Sequence, residues 1–265
     1  MLALDDRLCL APCVTLAANG VADEVQDRMW PVNATARLVL ASAETGETLN
    51  QVVERVVAAH GVLRETAERD VLVFAWALNR RYLANVRPAK GYLRRRLRLA
   101  LRLLPAGVLP PGRVVRRPVC PGGGLARALS MVRALGPRAS LVTGVAALPL
   151  VQGLSDPAVA IGVASSAGAG IVLHELGHAL ALGRRPAAVV LAGLRVLVLH
   201  AKLLPAVRRR VAVAGPGLVV GTGLVAAVCA ETTGSLALAL CSATWLGHAV
   251  GLTVLTNDGR NACLS

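Results

Sequence analysis

Two stretches of this chain, 139–183 and 211–259, contain no lysine or arginine, although the protein has 29 basic residues in all. Both are rich in Ala, Leu, Val and Gly. Each is long enough for two membrane spans of about 20 residues. Polar breaks at Ser155-Asp156-Pro157 and at Glu231-Thr-Thr-Gly-Ser235 divide them. About four spans are expected, near 139–155, 157–181, 211–230 and 235–256. The basic residues fall before the first span, between the second and third (Arg184, Arg185, Arg195, Lys202, Arg208, Arg209, Arg210), and after the fourth (Arg260). The loops at 156 and 231 have none. The positive-inside rule then puts both termini and the middle loop in the cytoplasm of a multi-pass membrane protein. A buried soluble helical core could match the hydropathy, but it has no reason to sort its arginines onto alternate loops.

The first third is different. Residues 1–70 hold eleven acids against six arginines, so they are net negative within a chain of net charge +14. Arg7 to Leu16 and Glu24 to Trp30 read as short strands, with Asn19-Gly20 supplying a turn. Asn33 is placed to cap a helix through Ala34, Arg37 and Val39. Thr48 and Gln51 have capping-box spacing. The helix they open sets Leu49, Val52, Val53, Val56 and Val57 on one face, and Gly61 ends it. Thr66 is placed to cap a third helix with Phe74, Leu78 and Tyr82 as its apolar stripe. Strands followed by three short helices predict a small α+β winged-helix domain over 1–88.

The runs Trp30-Pro-Val-Asn-Ala-Thr-Ala-Arg37, Thr48-Leu-Asn-Gln-Val-Val53 and Arg69-Asp-Val-Leu-Val-Phe74 resemble the PqqD-like family of peptide chaperones, or RiPP recognition elements. The resemblance implies that the domain binds the leader of a ribosomally made precursor peptide. In such domains the leader adds as a strand on a sheet edge beside a helix, here the strands before Trp30 and helix 66–83. Nucleic acid is not an expected partner, because phosphate binding needs clustered Lys and Arg and this domain is acidic.

Residues 89–138 read as a basic connector. Leu93, Leu97, Leu101 and Leu104 share one helical face, and Arg95, Arg98 and Arg102 another. Such a helix suits an anionic membrane surface. Pro105, Pro110, Pro111, Pro118 and Pro121-Gly-Gly-Gly124 predict loop after it. The six cysteines form no metal-binding pair and read as small apolar fillers. The N-terminus shows no basic segment followed by an apolar one, so no signal peptide is expected.

The chemistry lies in 139–265. Span two ends in Ile171-Val-Leu-His174-Glu175-Leu-Gly-His178. Histidines at i and i+4 stand one turn apart on one helical face, so both imidazoles can reach one Zn²⁺, and Glu175 beside them can take a proton from metal-bound water. Glu175 is the only acid inside any expected span, where a charge is costly and marks function. A catalytic zinc needs a third protein ligand and an open position. Asp258, at the cytoplasmic end of span four, comes to the depth of the two histidines. His248 is the alternative ligand; it lies too far along the same helix to share one metal with Asp258. His200 reads as a packed or substrate-path histidine, and His60 as a surface residue.

These elements, with Arg210-Val-Ala-Val-Ala-Gly-Pro216 and Asn257-Asp258-Gly259, resemble the site-2 protease family (M50) of intramembrane zinc metalloproteases over roughly 139–261. The resemblance implies that His174, His178 and Asp258 bind zinc, that Glu175 is the base, and that 186–204 forms a hairpin over the active site. One departure stands out: the family's upstream Asn and Pro are missing from 249–256, and Asn257 adjoins the Asp. The two halves together predict a membrane metalloendopeptidase that captures a precursor through its leader and cuts the leader off, as in daptide-like pathways. A site-2-type protease acting on a membrane-tethered regulatory protein and a catalytically degenerate peptide-binding scaffold are the alternatives.

Overall fold

Asn33 and Thr48 begin helices by the side-chain chemistry expected of them. Asn33 Oδ1 accepts the Ala36 N–H at 2.8 Å and opens α1 (Ala34–Thr45). At the head of α2 (Leu49–His60), Thr48 Oγ1 accepts the Gln51 N–H and Gln51 Oε1 accepts the Thr48 N–H, a reciprocal capping box. Each cap is worth about 1 kcal/mol. The structure is a computed structural model and describes residues 2–89, 113–122, 124–192, 195–252 and 258. The expected basic helix around 93–104 lies outside the described residues, as do Asn257 and Arg260.

Two compact units emerge: Met1–Pro118 with Ala188–Leu199, and Val119–Ala187 with His200–Ser265. In the first, the two expected strands are four. Pro12 and Cys13 turn the chain between β1 (Arg7–Leu10) and β2 (Val14–Ala17), with Cys13 at φ 62°. A turn at Ala18-Asn19 leads to β3 (Gly20–Asp23), and β4 (Arg28–Trp30) completes an antiparallel sheet in the order β2-β3-β4. β1 pairs instead with β5 (Ala84–Arg87).

The third helix, α3 (Arg64–Arg80), starts before the expected Thr66 cap: Leu63 stands at its N-cap position without a side-chain hydrogen bond. Glu65 in its first turn complements the helix dipole. Tyr82 lies past the helix end at φ 67° and is not part of the stripe; the buried face is Ala67, Val71, Ala75 and Leu78. It packs with Leu49, Val52 and Val53 of α2 and Val39 and Leu40 of α1 in one core.

A further strand, β6 (Val114–Val119), belongs to this unit, although its residues fall in the expected connector. Pro118 is therefore in a strand and not in a loop. Two asparagine side chains serve β6 as a neighbouring strand would. The Asn79 amide bonds both Val114 N (2.9 Å) and Val114 O (2.7 Å), and the Asn85 amide bonds Arg116 N (2.7 Å) and Arg116 O (2.9 Å). The Arg116 guanidinium meets Asp23 in a fully buried fork, with N···O distances of 2.6 and 2.7 Å. Burial pushes the Asp23 carboxyl up, but the bonds and charge of Arg116 and the bonds from Gln26 outweigh it and hold the group below its ordinary range. β7 (Ala187–Ala192) and β8 (Arg195–Leu199) form a hairpin within 186–204, but 188–199 belong to this first unit and the hairpin joins β6 in the order β6-β7-β8, in place of the expected position over the active site.

The second unit is helical. α4 (Gly124–Gly153), α5 (Pro157–Ala181) and α6 (Pro205–Thr233) are each long and apolar enough to cross a membrane. α4 begins well before the expected first span at 139 and carries Pro137 and Pro149 within it. The last expected span is not one continuous α-helix: α7 (Leu236–Leu246) passes into a 3-10 segment, Gly247–Leu252. Large apolar side chains such as Leu141 and Leu148 of α4 and Val225 and Val228 of α6 stand exposed, as lipid-facing residues would. Inside, the packing is small-residue packing: α5 buries Ala160, Ala164, Ser166, Gly168, Gly170 and Gly177. The Ser242 hydroxyl donates to Gly223 O at 2.9 Å and Trp245 Nε1 to Ser166 O at 2.8 Å, tying α7 to α6 and α5.

Candidate metal centre

Asp156 caps the helix that carries the centre, accepting the Ala158 N–H at 2.8 Å. Near the other end of α5, one turn apart, His174 and His178 direct their Nε2 atoms toward each other at 3.2 Å. Asp258 Oδ2 lies 3.1 Å from His174 Nε2 and 3.4 Å from His178 Nε2. Among the described residues this is a trio of ligand-type side chains able to share one ion.

The spacing suits zinc. Ligand atoms about 2.0–2.2 Å from one tetrahedral ion stand roughly 3.3–3.5 Å apart, close to the three observed separations. The tautomer suits it too. His178 Nδ1 lies 2.7 Å from Val211 O on α6, so that nitrogen donates to the carbonyl and Nε2 is the atom that faces the centre. Such second-shell partners orient ligating imidazoles.

Two glycines make the approach of α6 possible. A Cβ on Gly177 would stand 2.2 Å from Ala214 O, and one on Gly215 would stand 2.4 Å from His178 Cε1. Pro216 follows on the same helix; lacking an N–H, it leaves the Ala212 carbonyl without its helical partner and loosens the ladder there.

Glu175 is half-buried on α5 between the two histidines in sequence. His248 stands outside the trio, its ring centroid 5.9 Å from that of His174. His200 is half-buried, with Nδ1 2.7 Å from its neighbour's carbonyl, Ala201 O. His60 is exposed, with Nε2 3.1 Å from Thr35 Oγ1.

One residue of the site escaped the sequence reading. Arg127, expected in the basic connector, is buried at 1% exposure. It donates from Nη1 to Ala179 O at 2.9 Å and from Nη2 to Arg185 O at 3.0 Å. A cation on the last carbonyls of α5 complements the dipole of the helix that bears the histidines. The detectable signal was periodicity: Arg127, Met131, Ala134 and Leu135 are the buried face of α4 at i, i+4, i+7 and i+8.

The first unit has a recess of its own, a groove of about 350 Å³ between α1, the end of α2 and α3. Val39, Val56, Val71 and Phe74 line it, with His60 and Asp70 among its polar residues. Asn33, just after the edge strand β4, also lines it. An apolar trough between helices can take the side chains of a bound peptide.

No curated protein and no solved structure matches the chain. The family model for coenzyme PQQ synthesis protein D (PqqD) matches residues 14–83, which take in β2 to β4 and the three helices that form the groove. That segment is a PqqD-like domain, a RiPP recognition element.

Proposed function

We propose that the chain is a membrane zinc metalloendopeptidase of the site-2 (M50) type that binds a ribosomal precursor through its PqqD-like domain and removes the leader. The observation that carries the reading is the convergence of His174, His178 and Asp258, whose ligand atoms all lie within 4.8 Å of one another, with Glu175 next to His174 in sequence and within electrostatic reach of all three. Three lone-pair-bearing atoms so close repel unless a cation or proton stands among them. Zinc held by His174, His178 and Asp258 would supply Lewis acidity toward the scissile carbonyl and a water of lowered pKa.

The chain's own residues would do the rest. Glu175 takes one proton from the water as its oxygen bonds to the carbonyl carbon, then returns that proton to the amide nitrogen as the C–N bond breaks. The Val211 carbonyl holds the His178 ring in the working tautomer. The alanines and glycines of α5 bring the helices close around the centre. Three long apolar helices and the sorting of basic residues support a bilayer setting with the PqqD-like domain and the C-terminus on the cytoplasmic side.

The deciding experiment incubates the purified full chain with a leader-bearing ribosomal precursor peptide that its PqqD-like domain binds and follows the products by mass spectrometry. The expected result is one molar equivalent of zinc and a single leader cut that a chelator abolishes and zinc restores. Absence of bound zinc, or cleavage insensitive to chelator, would overturn the reading.

A further inference from the structure

Arg127 is a buried cation that the mechanism above leaves unused. It enters from α4 at 1% exposure and is answered by main chain: Nη1 donates to Ala179 O at 2.9 Å and Nη2 to Arg185 O at 3.0 Å, while Nε has no hydrogen-bond partner. Among the described residues no carboxylate forms an ion pair with it. Burying a charge without a counter-charge is expensive, and an apolar side chain of similar length would fill the space at lower cost. What the guanidinium adds over such a side chain is the pair of bonds.

Those bonds fall at the metal-bearing end of α5. Ala179 follows His178 directly, and its carbonyl is among the last four of the helix, which lack an intrahelical partner. On either side of it, His178 O and Leu180 O take the Leu182 and Gly183 N–H groups. Gly183 then turns the chain at φ 64°, and Arg185 lies beyond the turn. The planar fork of Arg127 bridges the two ends of that turn, and its geometry is set before it binds. The His178 ring is held from α6 by Val211 O. The main chain beside His178 is held from α4 by Arg127.

We infer that Arg127 is a positioning residue for the metal centre. By clamping the Ala179 and Arg185 carbonyls it fixes the place of the last turn of α5, and with it the point to which His178 Nε2 is delivered. It acts through His178 and is not itself a ligand. The inference rests on the metal-centre reading above.

The test uses the full chain in detergent with Co²⁺ as the probe, because its visible bands report ligand geometry. Affinity is measured by chelator competition, and the stability of the metal-free second unit by hydrogen exchange of α4 and α5 amides. Arg127→Met removes both bonds. It should weaken Co²⁺ roughly 10–100-fold, as loss of an outer partner does, and shift the visible bands. Protection of the metal-free amides should stay at the wild-type level or rise, because a buried charge has gone. Arg127→Lys keeps the charge but not the fork, and should fall between Met and wild type. Leu135→Ala opens a cavity on the same buried face of α4; it should lower protection and leave the bands unchanged, with affinity within about twofold.

Wild-type bands and affinity in Arg127→Met would overturn the inference and leave the metal centre standing. A loss of Co²⁺ affinity matched by Leu135→Ala, or matched by lost protection in Arg127→Met, would make Arg127 a packing element. If Arg127→Met does not fold, Arg127→Lys decides: shifted bands at full protection support the role, and wild-type bands refute it. Failure of the wild-type chain to bind Co²⁺ would remove the metal-centre reading and this inference with it.

Discussion

Both units bury charged or polar groups, and they do so to opposite ends. In the first, Arg116 and Asp23 close on each other in a two-pronged bond, and the Asn79 and Asn85 amides answer the β6 backbone. The two charges answer each other, although the buried Arg116 Nε is left without a hydrogen-bond partner. In the second, the ligand atoms of His174, His178 and Asp258 converge on a common point, and the His178 Nδ1–H points away to Val211. Burial of a polar group is therefore not by itself a sign of function. Convergence of like groups, with an outer partner holding them in that pose, is the sign.

The sharpest break between the two kinds of burial comes from conservative changes at the site. Glu175→Gln keeps size and hydrogen bonding but removes the base. Cleavage of the precursor should fall by about 10²–10⁴-fold with zinc content unaltered. An active Glu175→Gln enzyme would show that the centre works without that carboxylate.

Charge removal should then behave oppositely in the two units. Asp23→Leu leaves a buried guanidinium without its partner and should cost about 3–5 kcal/mol in the first unit, read by hydrogen exchange of its core amides. Adding Arg116→Met should recover most of the loss, because an apolar pair of similar volume replaces a buried ion pair at little cost. Asp258→Leu should leave the metal-free second unit no less stable and abolish stoichiometric zinc. If instead Asp258→Leu destabilised the metal-free protein as much as Asp23→Leu did, the carboxylate would be a structural partner and the contrast would dissolve.

The sequence was most legible where chemistry is local. The Asn33 cap, the Thr48–Gln51 box and the i, i+4 histidines each depend on a few adjacent residues, and each appears as expected. Long-range pairings were not legible. Nothing near Arg116 announces Asp23, 93 positions away, and no local pattern assigns 114–119 to the first unit. The strand break at Pro12-Cys13 depends on a left-handed residue that is not glycine, a conformation that sequence rarely signals. Val211, Gly177 and Gly215 matter through a helix–helix approach that only the packed structure exhibits.

That approach makes the next prediction smaller but more specific. Gly177→Val places three extra carbons against Ala214 O and should cost about 1–3 kcal/mol by overpacking. Because the displaced helix carries Val211, zinc affinity should also fall, by roughly 10–100-fold, as expected when a second-shell partner is lost. A substitution of equal cost to folding elsewhere in the second unit should leave zinc affinity alone. Equal zinc loss from both would mean that the outer bond contributes nothing beyond general stability.

The smallest effect is one of pH and belongs to the first unit. Asp23 sits below its ordinary range in the fold, because the Arg116 bonds and charge overcome its burial. The unfolded chain binds that proton more readily, near pH 3.9. The ion pair's contribution is therefore fully present above about pH 4 and is lost as pH falls from there through the folded value. The slope contributed by one carboxylate cannot exceed about 1.4 kcal/mol per pH unit. Hydrogen exchange of the first-unit core, corrected for intrinsic rates, should show protection declining below pH 4 in the wild type. The Asp23→Leu/Arg116→Met variant should lose this part of the decline while keeping whatever the other acids contribute. Parallel curves for the two proteins would mean that Arg116 does not depress Asp23, and the first unit's buried pair would then be no better satisfied than the trio in the second.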